Sequence, residues 1–136
     1  MFKEICKLIE ERTGFHSPTL QVGHRVQGAP QRCVLISESA GGGTNFYCPD
    51  MADINIQLVT RAKRYFDARE DAWIFYQAFH GTAGWNIPRL DGSGEDYLAM
   101  TVEAIAVPQY IGQDMNGLFE FSVNFIFRME EASCGG

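Results

Sequence analysis

The chain has 136 residues, 46% hydrophobic and 21% charged, which is enough for one domain with its own core and excludes wholesale disorder. Its formal charge of -6 comes without any Lys/Arg run or stripe, which excludes a protein that grips nucleic acid through its phosphates. No apolar run approaches the roughly 20 residues of a membrane helix. Ten Phe, five Tyr and two Trp are available both to a core and to any interface. Cys6, Cys33, Cys48 and Cys134 are widely spaced with no C-x-x-C pair, and the opening MFKEICKLIEER is charged and amphipathic, unlike a signal peptide. Both features read as reduced thiols in a protein made in a cytoplasm.

Phe2, Ile5, Cys6 and Ile9 recur at helical spacing, with Lys3, Glu4, Lys7, Glu10, Glu11 and Arg12 opposite them. This pattern predicts an amphipathic helix stopped by Thr13-Gly14. It reads as a packing helix on one face of a sheet, with a partner-binding helix as the alternative. Residues 19–26 fit a short strand with Leu20 and Val22 inward, broken by Gly28-Ala29-Pro30. Cys33-Val34-Leu35-Ile36 is an apolar run short enough for a strand buried on both faces. Residues 39–51 have no period and carry Gly41-Gly42-Gly43, then Thr44-Asn45-Phe46-Tyr47. The three glycines are not a phosphate cradle, because no Lys-Ser or Lys-Thr follows and the next element is a strand, not a helix.

Ile54, Ile56 and Leu58 alternate with Asn55 and Gln57, which defines a strand with one apolar face. The chain then turns through residues 61–65. Asp67 with Glu70 three residues on suits a helix N-cap, and Phe66, Ala68, Ala72, Phe75, Tyr76 and Phe79 read as one apolar stripe ended by Gly81. That stripe needs a sheet to cover. Residues 82–96 look loop-like, with Trp85 and Ile87 in a short edge strand. The acidic cluster at Asp91 to Asp96 lacks the spacing of a calcium loop and reads as turn chemistry. Residues 97–107 predict a long strand with Leu98, Met100, Val102, Ala104 and Ala106 on one face, ended by Pro108. Asp114-Met115-Asn116-Gly117 is a hairpin turn signal. Phe119, Phe121, Val123, Phe125 and Phe127 then alternate with polar residues, so residues 118–128 should pair antiparallel with 97–107. Residues 129–136 read as a fraying tail.

No catalytic constellation stands out. His16, His24 and His80 are far apart and lack partners at metal spacing, so neither metal nor cofactor is expected. His80 fits the negative end of the helix dipole. Adjacent Glu70 and Asp71 point in different directions on a helix. Cys33 or Cys48 with a distant His remains the one nucleophile arrangement to check, and no group of residues meets the usual test for enzymatic roles.

The order is helix, strands, glycine loop, strand–helix, then a long hairpin closed by D-x-N-G. It resembles the small minor capsid and tail completion proteins of bacteriophages, which are similar to the tail terminators of long-tailed phages. The residues carrying the likeness are Glu11-Arg12-Thr13-Gly14 and the passage from Ile54-Asn55-Ile56-Gln57-Leu58 to Ala78-Phe79. The strongest are Pro108-Gln109-Tyr110-Ile111-Gly112-Gln113-Asp114-Met115-Asn116-Gly117 and the aromatic strand after them. The likeness spans residues 2–128. It implies a single α/β (α+β) domain, a mainly antiparallel sheet packed with an N-terminal and a central helix. It also implies six copies in a ring that caps the tail tube, with the tube protein, the neck or head-completion protein and the tape measure protein as partners.

On that reading DNA passes through the channel without specific binding, and the net negative charge suits such a channel. The protein would be made in the bacterial cytoplasm and end in the virion, without membrane, cofactor or enzymatic activity. The expected contact residues are Gly41, Gly42, Gly43, Thr44, Asn45, Phe46 and Tyr47 in one loop, and Tyr110, Ile111, Gln113, Asp114, Met115 and Asn116 at the hairpin tip. A head-completion or stopper protein of the neck is the nearest rival, and a small ligand-binding or enzymatic α+β domain the rival from another class.

Overall fold

In the computed structural model the elements run α1 (Phe2–Thr13), β1 (Leu20–Val22), β2 (Cys33–Glu38), β3 (Met51–Ala62), α2 (Tyr65–Phe79), β4 (Thr82–Ile87), β5 (Tyr97–Ala104), β6 (Gln109–Gln113) and β7 (Phe119–Glu130). The described residues are 1–15, 19–24, 28–39, 41–44, 47, 50–91 and 96–130. The fold is α+β, with a seven-stranded sheet of order β1-β2-β3-β7-β5-β4 and β6 also paired to β7. Among the described residues only the β1–β2 pair is parallel.

The spine is the β3–β7 ladder, unbroken from Met51 opposite Glu130 to Ala62 opposite Phe119. Every second residue of both strands faces the helices: Ile56 and Leu58 of β3, and Val123, Phe125, Phe127 and Met129 of β7, all essentially fully buried. Met129 and Glu130, expected to open a frayed tail, are therefore strand residues. The other edge of β7 is shared. β5 takes its Phe125–Glu130 half and β6 its Phe119–Ser122 half. The expected strand over 97–107 ends at Ala104, and the backbone lets go of β7 after Ile105 N–H donates to Asn124 O (2.9 Å). Within β5 the register shifts between Ala99 and Thr101, a bulge that changes the phase. The buried residues are thus Ala99 and Val102, not the Leu98–Met100–Val102 alternation expected.

Both helices lie on the same face. Ile5, Cys6, Leu8 and Ile9 of α1 join Phe75 and Phe79 of α2 in one core with Val34, Ile36 and the β3–β7 side chains. Burial of each such large side chain contributes about 1.5–3 kcal/mol. α1 ends as expected, with Gly14 left-handed (φ 77°) and its N–H on Glu10 O at 2.9 Å. α2 starts earlier than its cap residues suggest. Arg64 is the N-cap, without a side-chain hydrogen bond, and Asp67 sits in the first turn. The extra residues are recruited by packing, because Tyr65 meets Phe119 and Phe121 at ring distances of 5.8 and 5.0 Å. At about 100° per residue Phe66 falls on the face opposite Ala68, Ala72, Phe75 and Phe79, and it is 75% exposed instead of in the stripe. Asp71 takes the inward place and is held by Arg32 through two hydrogen bonds of 2.9 and 3.0 Å. Val22, also expected inward, is exposed at the sheet edge, where Gln21 is buried in its stead.

The opposite face of the sheet is covered by no helix among the described residues. It carries Asn55 and Gln57 of β3, Asn124, Ile126 and Arg128 of β7, and Glu103 of β5, all at least partly exposed.

Candidate assembly surfaces

The two regions expected to make contacts sit at opposite ends of β3. Thr44 bridges to Ala52, whereas the hairpin adjoins Ala62 through Phe119. Ten residues of strand separate them, roughly 33 Å at 3.3 Å per residue, so they are two surfaces and not one site.

At the first end, the glycines let the loop lie flat on β3. A Cβ on Gly42 would stand 1.7 Å from Asp53 O, so no side chain fits there. Asp53 N–H donates to Gly43 O at 2.9 Å. The Asp53 carboxylate receives Arg128 Nη1 (3.0 Å), and Arg128 Nη2 reaches Glu103 Oε1 (2.7 Å). A charged row therefore crosses β3, β7 and β5 on the helix-free face beside this loop. Gly41 is exposed and Tyr47 is 93% exposed, whereas Asn45 and Phe46 lie outside the described residues.

At the second end, Asp114 organises the hairpin. Its Oδ1 accepts from Asn116 N–H and Leu118 N–H, both at 2.9 Å, and its own N–H donates to Leu118 O. Gly117 takes the left-handed conformation that the turn demands (φ 77°). Gln113 Nε2 closes on Gly117 O at 3.0 Å. Arg61 Nη1 stands 3.7 Å from Asp114 Oδ2 and also donates to Pro30 O, which ties the turn to β3 and to the segment before β2. Tyr110 and Ile111, expected at the tip, belong to β6, and a bulge between Tyr110 and Gly112 leaves Ile111 outward. The true tip is Met115, fully exposed.

Sequence reasoning missed the residues that enlarge this second surface. Tyr65 lies 5.4 Å from Tyr110 and 5.3 Å from Phe66, ring to ring, which joins the start of α2 to the hairpin in one aromatic cluster. Phe66, Trp73 and Ile74 then continue along the outer side of α2 and line an open groove with Arg69. The signal was present: Phe66, Trp73 and Ile74 stand at i, i+7 and i+8, a second apolar stripe on the same helix.

Burial, helped by Glu10 and Glu38, pushes the Cys6 thiol up to about 12, so it stays protonated. Cys33 is sealed at 1% exposure, and Cys48 lies outside the described residues. Among the described residues no group of three or more His, Cys, Asp or Glu could hold a metal ion. His80 accepts from Ala104 N–H through Nδ1 (3.0 Å), so it fastens the end of α2 to β5. No helix among the described residues is long and apolar enough to cross a membrane.

No curated protein matches the chain. Residues 9–131 match the bacteriophage tail terminator proteins, a match that begins inside α1 and takes in all seven strands and α2. The chain therefore belongs to the bacteriophage tail terminator protein family, structural proteins of the phage tail.

Proposed function

We propose that this chain ends growth of the tail tube by capping it as a closed ring of six copies, then presents the ring's other face to the neck of the filled head. The family match over residues 9–131 carries this reading. The work is done by surface complementarity without bond chemistry. One face fits the last ring of the tube protein at the length set by the tape measure protein, the other fits the head-completion protein, and DNA passes through the channel. The formal charge of -6 suits an acidic lumen that repels DNA during its passage. Of the two ends, the 41–47 loop with Tyr47 and the hairpin from Tyr110 to Asn116 are the regions assigned to neighbours. Exposed backbone edges at β1, β4 and β6 are then covered by assembly rather than left open to uncontrolled pairing.

Electron microscopy of particles made without this chain tests the reading. Overlong or unjoined tubes beside filled heads are expected. Tails of normal length beside empty, leaking heads would make it a neck stopper instead, and unchanged virions would overturn both roles.

A further inference from the structure

The hairpin of β6 and the start of β7 stands on a short base. β6 has five residues, and a bulge between Tyr110 and Gly112 interrupts its pairing with β7. Its other edge is paired with no strand among the described residues. A two-stranded ribbon of this length is marginal without support from outside itself. At the base that support is aromatic, because Tyr110 packs on Tyr65 of α2 at a ring distance of 5.4 Å. One attachment leaves a ribbon free to swing about it, so the direction of the tip needs a second.

The second is Arg61, the penultimate residue of β3. Its guanidinium meets groups from two distant parts of the chain. Nη2 donates to Pro30 O (2.7 Å), Nε donates to Gln31 O (3.2 Å), and Nη1 stands 3.7 Å from Asp114 Oδ2. The Arg61 and Asp114 side chains are 13% and 19% exposed, so the pair is largely shielded from water. The segment that Arg61 grips is itself fixed. Arg32, the next residue, is forked to Asp71 of α2 at 2.9 and 3.0 Å, and Cys33 after it opens β2 and is buried. Asp114 divides its oxygens between two tasks. Oδ1 accepts from Asn116 and Leu118 N–H and shapes the turn, whereas Oδ2 faces out of the hairpin toward Arg61. A planar fork serves such a spread of acceptors at once, which a single ammonium does not.

We propose that Arg61 is the positioning residue of the hairpin: through Asp114 it fixes the direction in which the turn presents Met115, braced against residues 30–31. The positioning is a property of the free chain. Its consequence for assembly rests on the reading above, in which the hairpin meets a neighbour.

Hydrogen exchange of the free chain, read amide by amide, tests this with Arg61→Met, Asp114→Asn and the two combined. Asp114→Asn keeps an oxygen for the turn and removes the charge that faces Arg61. It also leaves in place Glu120, the carboxylate opposite Arg61 in the β3–β7 ladder. Arg61→Met is expected to speed exchange at Gly117 and Leu118 about threefold to fivefold, the loss of one ion pair. Any change at Ile56 and Phe125, which report global unfolding, should be smaller. Made in the Asp114→Asn chain, Arg61→Met is expected to add nothing at Gly117 and Leu118, because the pair is already gone. A full further loss there, or no loss from Arg61→Met alone, overturns the proposal. Native mass spectrometry across a concentration series then reads assembly, and half-assembly should need a concentration higher by a similar factor, since the hairpin must be ordered on docking. Faster hairpin exchange with unaltered assembly would leave Arg61 in its role and remove the hairpin from the regions that meet neighbours.

Discussion

At the scale of single residues, the buried Asp71 shows how a charge is tolerated in a helix face that otherwise carries Ala68, Ala72 and Phe75. It is 1% exposed, and the forked guanidinium of Arg32 fills both its oxygens. Those hydrogen bonds, before the nearby carboxylates, push the Arg32 pKa further up, so the guanidinium stays charged at any ordinary pH. Arg32→Met would leave Asp71 buried and unpaired. Fully buried pairs lose about 3–5 kcal/mol when broken, and the 49% exposure of Arg32 lowers the expected loss to about 2 kcal/mol, read as a fall in melting temperature. Glu4 poses a different case. Burial by itself raises its pKa, but hydrogen bonds from Leu90 N–H and its own N–H, with the Met1 ammonium at 3.2 Å, outweigh burial and hold the carboxyl below its ordinary value. A carboxyl with a lower pKa when folded adds stability above its unfolded pKa and loses it as pH falls through the folded one. Glu4→Gln should therefore melt below the wild type at pH 7, and the gap should close as pH drops below about 4. A gap that persists in acid would mean that the charge of Glu4 contributes nothing. Neither residue was legible as an inward group, since composition and spacing place carboxylates outward by default and do not record which cation waits across the fold.

At the scale of elements, α2 separates two roles that one stripe had seemed to combine. Phe75 is fully buried under β7, and Phe75→Ala should cost about 3–5 kcal/mol. Phe66 is on the other side, and Phe66→Ala should change monomer stability by no more than about 0.5 kcal/mol. Urea unfolding of both variants checks the pair of values, and equal losses would return Phe66 to the core. The hairpin makes a second test. Asp114→Ala deprives the part-buried Leu118 N–H of its acceptor, whereas the exposed Asn116 N–H regains water, so about 1 kcal/mol is expected from the same measurement. Where a period ran unbroken the elements could be read directly: α1 through Ile5 and Ile9, β3 through Ile56 and Leu58, β7 through its aromatic alternation. Reading failed where tertiary contacts overrode local chemistry. Tyr65 drew the start of α2 ahead of Asp67, and the bulge after Ala99 changed which residues of β5 face inward. The residues of the proposed contact regions split in the same way. The D-x-N-G turn announced itself, but the aromatic link from Tyr65 to Tyr110 depends on two elements 45 positions apart and leaves no local pattern.

At the scale of the whole molecule, stability should be graded outward from the β3–β7 ladder. Its twelve residue pairs are buried on one face under both helices and flanked on each side by further strands. β1 has three residues at one edge of the sheet, and β6 has five beside the end of β7, interrupted by a bulge. In the free chain the amides of Ile56, Leu58, Val123 and Phe125 should therefore exchange only through global unfolding, while those of β1 and β6 exchange through local opening. Assembly of the proposed ring should change this gradient. Exchange of assembled against free protein should slow most at residues 41–44 and 110–116, the regions proposed to meet neighbours, and the central ladder should slow as well, because a partner that binds only the folded chain raises the cost of global unfolding. Slowing spread evenly over the chain, with no excess at these two regions, would place the repeating contact elsewhere, since a closed ring must cover some local surface of each copy.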